Sequence, residues 1–572
     1  VHAVIRGIDD FIEADILELK KHYARCFQIV EGPLMQGMKE VGGRFSAGKM
    51  YLPQVIRSAR VMKKAVAVLE PFIQKEKALA VSSDGNSADV SMDGAKIFLA
   101  TVKGDVHDIG KNIAGVVLGC NGYNIIDLGV MVPAEQIVER AVNENAVIVG
   151  LSGLITPSLD EMVIVAREME KRGLRIPILI GGATTSIVHT ALRIVPEYSG
   201  PVVYIPDAGH SAEAVGSLLS DTARSRFLAG LEDQYREAAA LHESIVSKRA
   251  LLSLEQARKN RFSIVRDVPE PKEKTIQEFG NYPVERVIPF IDWKEFLRSW
   301  EMNASGADYA GSRDSAPAFS AAEKLLSDAK LMLDRVTAEG LLCLRGVIGF
   351  FPAASQDEDI VIYDDGRQKG RKERARFCFL RNQEKKQPGL ANLCLADFVP
   401  RWPAPGKDAA EKVPGWVGLF VLGAGFGLKE AEDAFKARRD DYGALLLSSL
   451  ANSLAEAFSE EMHLRVQREF WGYNPGTPGG KSGIRPAFGY PACPDHNDKR
   501  LAFALLDAQK RCGFELTDSA MIIPASSVCG MYIPHPDSRY FGAGIPGDDQ
   551  IAEWAKRKGI DADEARKRTG RI

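Results

Sequence analysis

The sequence predicts a multidomain chain of α and α/β parts: a small helical bundle, then a doubly wound parallel sheet, then a mixed α+β region. Three observations predict it. Apolar residues recur three and four apart through the first eighty or so positions. Short apolar strand patterns alternate with helical ones over 93–225. From about residue 275 onward, strand and helix patterns mix without fixed alternation. A chain of 572 residues is expected to hold several domains. Hydrophobic residues at 45% and charged residues at 26% describe an ordinary globular composition. A net charge of −3 gives no reason to expect nucleic acid or a membrane surface as partner. No apolar run approaches the length of a membrane span and no secretory leader is visible, so a cytoplasmic location is expected. The chain opens on Val1 inside a helical pattern, as expected of a fragment of something longer.

In the first part (1–81), Phe11, Ile12, Ile16 and Leu19 fall on one helix face. Leu34, Met35, Met38 and Val41 fall on a second, and Val55, Ala59, Met62, Val66 and Leu69 on a third. The polar run Ser82-Ser83-Asp84-Gly85-Asn86-Ser87 reads as a linker. Five strand patterns follow, at 96–102, 124–126, 146–152, 176–180 and 202–205, with helices between them. A charged helical stretch over 233–262 reads as a solvated connector inside the segment 226–274, which ends near Val268-Pro269-Glu270-Pro271-Lys272. In the last part (275–572), Ile360-Val361-Ile362-Tyr363 before Asp364-Asp365-Gly366 predicts a hairpin, with 377–380 as candidate partner. The eight cysteines are scattered without metal-ligand spacing, which points to a reducing compartment and no zinc site.

The densest chemistry lies in Gly104-Asp105-Val106-His107-Asp108-Ile109-Gly110-Lys111-Asn112, between a strand pattern and a helix pattern. It is not a phosphate-binding loop. Five residues rather than four separate Gly104 from Gly110, and Asn112 stands where the magnesium-binding hydroxyl belongs. A histidine there serves as a local hydrogen-bonding residue or as a metal ligand. For a ligand, a carboxylate such as Asp105 on the second ring nitrogen fixes the tautomer. In a sheet of order 2-1-3-4-5, the loops after strands one and three flank the ligand-binding crevice. Those loops hold His107 and Ser152-Gly153-Leu154-Ile155-Thr156-Pro157-Ser158, so Ser158 is placed to reach Asp105. Thr156-Pro157 also reads as a helix N-cap followed by its first residue.

The Asp-x-His-x-x-Gly pattern resembles the cobalamin-binding signature of corrinoid methyltransferases and some mutases. The resemblance implies a flavodoxin-like domain in which His107 ligates cobalt, backed by Asp105 and Ser158. It further implies cobalamin contacts from Gly104, Val106, Asp108, Gly110, Ser152, Thr156, Gly181, Gly182 and Ala208. Upstream, Glu31-Gly32-Pro33-Leu34-Met35 and the run from Phe45 to Val55 resemble the helical cap of cobalamin-dependent methionine synthases. That likeness implies Phe45, Leu52 and Val55 as residues covering the corrin, with Glu31 nearby; plain core packing is the other reading of each.

Arg485-Pro486-Ala487-Phe488-Gly489-Tyr490-Pro491-Ala492-Cys493-Pro494-Asp495-His496 resembles the S-adenosylmethionine segment of that family's reactivation domain. Segments around Asp292, Glu456, Trp471 and His535 to Phe541 match in the same order. The implied ligand residues are Asp292, Glu456, Arg485, Ala487, Gly489, Tyr490, Ala492, Tyr540 and Phe541. The stretch 474–482 is shorter and richer in glycine than usual, an acidic residue ahead of Gly483-Ile484-Arg485-Pro486 is missing, and Phe488 replaces a usual proline. The expected function is the cobalamin-binding and reactivation portion of the enzyme. The full enzyme carries a methyl group on cobalt from methyltetrahydrofolate to homocysteine, and this portion remethylates cob(II)alamin with S-adenosylmethionine and an electron. The expected cofactors are methylcobalamin and S-adenosylmethionine, with zinc only in a homocysteine module that this chain lacks. The implied partners are a flavodoxin or flavodoxin-like reductase as electron donor, and N-terminal homocysteine and folate modules. The alternative is a non-catalytic corrinoid carrier or cobalamin sensor, which has no need of an S-adenosylmethionine segment.

Overall fold

A computed structural model of the protein describes residues 1–81, 95–248, 250–264, 268–302, 316–364, 372–401, 415–473 and 482–569. The linker expected at 82–87, the hairpin residues Asp365 and Gly366, and all of the 474–482 stretch but Ser482 lie outside them. The N-terminal part is helical, with α1 (His2–Arg6), α2 (Ile12–Leu19), α3 (Met35–Ser46) and α4 (Leu52–Val81). Ile12, Ile16, Leu34, Met38, Val41, Val55 and Leu69 share one buried cluster, as a three-four spacing requires. Phe11 does not join them and is 71% exposed. It precedes the first helical turn as the N-cap of α2, so the helical period does not govern its direction.

The second part is a five-stranded parallel sheet of order β2-β1-β3-β4-β5, formed by β1 (Lys96–Thr101), β2 (Asn124–Asp127), β3 (Ile148–Ser152), β4 (Ile178–Gly181) and β5 (Val202–Tyr204). The crossovers carry α5 (Ile109–Cys120), α6 (Ala134–Asn143) and α7 (Thr156–Lys171), and α8 (Ala208–Leu219) follows β5. Both faces of the sheet are covered. In β1, Phe98 and Ala100 enter one buried cluster while Ile97 and Leu99 enter another on the opposite side. The apolar runs legible in the sequence are therefore two-sided strands.

The connector begins as α9 (Arg224–Lys248), and it is more than a solvated strut. The Tyr235 hydroxyl donates to the Val202 carbonyl at 2.9 Å and accepts from the Tyr204 N–H at 3.0 Å, pinning α9 to the sheet edge. Further along, Arg258 reaches the fully buried Glu358 at 2.6 Å, and Glu358 also accepts from Arg381 at 2.9 Å. The expectation of a purely solvated segment fails there because buried carboxylates draw its arginine inward.

The last part is built on an antiparallel sheet of β6 (Gln277–Tyr282), β7 (Cys343–Gln356), β8 (Asp359–Tyr363), β9 (Glu373–Cys378) and β10 (Gly415–Phe426), with β11 (Glu515–Leu516) and β12 (Ile522–Ile523) as a separate pair and β13 (Ser527–Tyr532) at its far edge. The long β7 pairs with β6 near its start and β8 near its end, and β10 runs along its other side. Strand β8 pairs with β9, which ends at Cys378; the hairpin partner therefore begins earlier than the apolar run at 377–380 suggests. Around the sheet lie α10 (Trp293–Ser299), α11 (Ala316–Glu339), α12 (Leu428–Ala437), α13 (Asp441–Arg465), α14 (Asp498–Leu506), α15 (Asp548–Lys558) and α16 (Ala562–Arg568). One buried cluster joins α13 to Ile348, Phe420 and Leu422, and it also takes in Leu52 and Ile56 of α4 with Ile113 and Val117 of α5. The three parts thus share a core. Among the described residues, no helix is long and apolar enough to cross a membrane.

Candidate cobalamin and methyl-donor sites

The turn after β1 places an imidazole at the carboxyl edge of the sheet, where the strand order reverses between β1 and β3. Asp105 is fully buried, and it organises the loop. One carboxylate oxygen accepts from the His107 N–H at 3.1 Å and lies 2.7 Å from His107 Nδ1. The other accepts from the Ser158 hydroxyl at 2.6 Å and the Leu154 N–H at 2.6 Å. Burial alone would raise the Asp105 carboxyl, but the His107, Ser158 and Leu154 contacts overcome it and hold the group below its ordinary value. Asp105 is thus a carboxylate at neutral pH. It engages Nδ1, which leaves Nε2 of a partly exposed ring for an external ligand.

Glycines bring the surrounding loops together. Gly182 has φ +123°, and a Cβ there would stand 1.9 Å from the Gly153 carbonyl oxygen, so the loops after β3 and β4 touch backbone to backbone. Gly104 has φ +79°, and a Cβ there would meet the Ser519 hydroxyl of the last part. Asp108 is the N-cap residue of α5, and its carboxylate accepts from Asn112 at 3.0 Å. Thr156 begins α7, whose N-cap is Ile155 without a side-chain bond; the Thr156 cap expected from sequence does not form. The Ser158 hydroxyl goes to Asp105 instead, where an ionised acceptor makes the stronger hydrogen bond. Gly181 closes β4, Ser152 closes β3 and Ala208 opens α8, all at the same sheet edge as Val106 and Gly110 of the His107 turn.

The expected covering residues lie to one side. Leu52 is buried with Ile113, Val117 and the last part's core, with Phe45 packed against the same cluster. The Phe45 ring also lies 3.3 Å from where a Gly209 Cβ would stand. Val55 belongs to the cap's own core, and Glu31 is exposed in the π-helical turn Val30–Leu34.

The second cleft centres on Arg485. Its guanidinium donates to Ser459 Oγ at 2.7 Å and to Glu460 at 3.0 Å, and stands 4.0 Å from Glu456. Its N–H donates to the Tyr540 hydroxyl at 3.1 Å. Ala487 bridges to Gly530 of β13, Tyr490 is 57% exposed and Ala492 is buried. Gly489 has φ +97°, and a Cβ there would fall within the His496 ring. Two further expected residues make contacts of their own. Asp292 caps α10, accepting from the Lys294 and Glu295 N–H groups, and Phe541 packs toward Phe398. Ser459 and Glu460 escaped the sequence reading, although Glu456 and Glu460 are four apart on one helix and so share a face. His496 closes the resembling segment but is not among the implied ligand residues. Burial and then the Lys499 ammonium push its ring down to about 3, and Lys499 Nζ donates to Nδ1 at 2.9 Å.

Comparisons with known proteins agree with this layout. Residues 283–559 match the family described as the vitamin B12 dependent methionine synthase activation domain. Residues 95–198 and 1–70 match two families, each described as a B12 binding domain. A crystal structure of the MetH reactivation domain bound to AdoHcy shares 34% identity at a TM-score of 0.50, over 55% of this chain and 96% of that one. A cobalamin-binding protein from Desulfitobacterium hafniense DCB-2 shares 26% identity at a TM-score of 0.29, over 38% of this chain and 96% of that one. With a B12 domain before it and the activation domain behind, the chain belongs to the cobalamin-dependent methionine synthase family.

Proposed function

We propose that His107 ligates the cobalt of cobalamin through Nε2, and that the Arg485 cleft takes S-adenosylmethionine as the methyl donor for reactivation. The family is one of methyltransferases, and cobalamin supplies the cobalt that accepts and gives up the methyl group. The observation that carries the reading is the Asp105 clamp on Nδ1, which fits the ring to donate from Nε2 alone. Asp105 and Ser158 orient the ring and keep a proton on Nδ1 while Nε2 is engaged.

At the second cleft, Glu456 and Glu460 suit an ammonium or sulfonium cation and Arg485 suits a carboxylate, a charge pattern matching a sulfonium amino acid. The related reactivation domain bound to AdoHcy supports the same assignment here. We further infer that a flavodoxin-type donor supplies the electron and that homocysteine and folate modules complete the methyl cycle. A carrier or sensor has no use for the second cleft.

Visible absorption of the cobalamin-loaded chain tests the ligand. His107→Gly should retain the cofactor and lose the signature of imidazole ligation, while calorimetric binding of S-adenosylmethionine stays unchanged. A spectrum identical to the parent's would overturn the assignment of His107.

A further inference from the structure

The last two helices, α15 and α16, dock on the end of β9 through a small core of their own. Ile551, Trp554 and Ala555 pack with Ala565, Cys378, Leu380 and Ala543, and the Trp554 indole N–H donates to the Cys378 carbonyl at 2.8 Å. That core is separate from the one that holds Phe488, Ala492 and Cys493. Helix α15 nevertheless sends one charge into the methyl-donor segment. The side chain of Lys558, its last residue, is only 10% exposed; the ammonium stands 3.0 Å from Asp495 Oδ2 and donates to Asp498 Oδ1. Both carboxylates are buried, and Arg568 of α16 comes within 3.7 Å of the same Asp495 oxygen. Burial pushes the Asp498 carboxyl up to about 7 against the pull of Lys558. At Asp495, Lys558, the Asn497 N–H and Arg568 prevail over burial and hold the carboxyl below its ordinary value.

Asp495 stands where the chain leaves the ligand turn. Just upstream, the Cys493 thiol donates to the Ala487 carbonyl at 3.0 Å and the Gly489 N–H donates to the Cys493 carbonyl at 2.8 Å. The Cys493 N–H donates to the Tyr490 carbonyl at 2.9 Å. The turn is thus closed on Cys493, and Pro494, with its ring-fixed φ, passes a shift of Asp495 on to it. We propose that Lys558 is a positioning residue for the methyl donor: from the end of α15 its ammonium fixes Asp495 and Asp498, and through them the turn of Ala487, Gly489 and Tyr490 that faces S-adenosylmethionine. This rests on the reading of the Arg485 cleft as the S-adenosylmethionine site. Adhesion of α15 needs no buried ammonium, since apolar side chains of like volume dock a helix as well or better. What a buried cation between two carboxylates adds is a fixed place for the segment that carries them. With Lys558 removed, Asp495 and Asp498 would be buried three residues apart with the more distant Arg568 left to offset them, and the segment would shift toward water.

Two measurements on the full chain test it together: calorimetry of S-adenosylmethionine, and amide hydrogen exchange over 487–493 without ligand, read by mass spectrometry. Lys558→Met should weaken binding at least roughly fivefold and speed exchange at least roughly fivefold, with cobalamin affinity unchanged. Lys558→Arg, which keeps the cation, should recover most of both losses. Arg557→Met is the control. It removes the neighbouring arginine of α15, which pairs with Asp359 and the Phe379 carbonyl, and should leave both readings at the parent's level. Parent-like readings from Lys558→Met would overturn the proposal, as would equal losses from Arg557→Met or a Lys558→Arg no better than Lys558→Met. A parent chain that takes no S-adenosylmethionine would overturn the reading of the cleft instead, and the exchange series would then decide whether Lys558 orders the turn. Should Lys558→Met fail to fold by circular dichroism, Lys558→Met with Asp495→Asn, which removes one buried charge from each side, replaces it in both measurements with the same losses expected.

Discussion

The two clefts are built in opposite ways. At the first, Asp105 and His107 are two residues apart in one turn, and Ser158 and Leu154 arrive from the adjacent strand's loop. At the second, Glu456 and Glu460 stand on α13, Arg485 follows a separate segment, and Tyr540 lies 55 residues farther on. A site made by one turn at a sheet's switch point inherits its geometry from the fold class. A site assembled from distant segments depends on the packing of a whole module. A side-chain change at the first should therefore stay local, whereas a change at the second should follow the module's stability.

The largest expected effect tests whether backbone contact sustains the first cleft. Gly182→Ala would push a Cβ into the Gly153 carbonyl and should destabilise the sheet domain by about 3–5 kcal/mol. Hydrogen exchange in the 152–158 loop would report it; unchanged protection would sever the link between loop contact and site.

Asp105→Asn comes next. An amide keeps the shape but cannot accept all four contacts, leaving a buried donor unpaired at a cost of about 1–3 kcal/mol. The Asp105 carboxyl is held below its ordinary value, so this contribution is full at neutral pH and is lost as pH falls through the lowered folded value. A variant whose deficit persisted unchanged in strong acid would contradict the carboxylate's role.

At the second cleft, Arg485→Met removes one donor from Glu460 and one from Ser459. S-adenosylmethionine should bind at least roughly tenfold more weakly, about 1.4 kcal/mol, with cobalamin affinity unaltered. Calorimetry with each ligand separates the two, and a parallel loss of both would erase the proposed independence of the clefts.

At His496 the effect is a slope in pH, absent at neutral pH. Its folded value of about 3 lies below the ordinary 6.5, so the unfolded chain takes a proton that the folded one refuses. Stability is full above 6.5 and drains as pH falls toward 3, by at most about 1.4 kcal/mol per pH unit. All six tryptophans lie in the last part, so urea unfolding followed by their fluorescence reports this module alone. His496→Gln should flatten the slope by one proton, and an unaltered slope would show that His496 is protonated in place.

Much of this was legible along the chain. The five strands, their alternation with helices and the Asp105–His107 turn are patterns of neighbours, and a parallel sheet of this order leaves few places for its crevice. Arg485 and Glu456 come through resemblance, while Glu460 is marked only by sharing a helix face with Glu456, a spacing that an ordinary solvated face also shows. Asp292 and Phe541 also come from the resemblance, and their N-cap and ring contacts neither require nor oppose a place in the cleft.

The sequence by itself determined the helical, parallel and mixed parts and the trio Asp105, His107 and Ser158, because hydrophobic period and turn chemistry act over a few residues. Tertiary structure alone decided that Leu52 and Phe45 pack at the three-way junction, that Arg258 is drawn into a buried carboxylate cluster, and that Arg57, Arg60 and Lys63 find carboxylates some 270 to 380 residues away. Those outcomes depend on which surfaces meet. An apolar or charged residue declares that it needs a partner, but only the packed chain names which one.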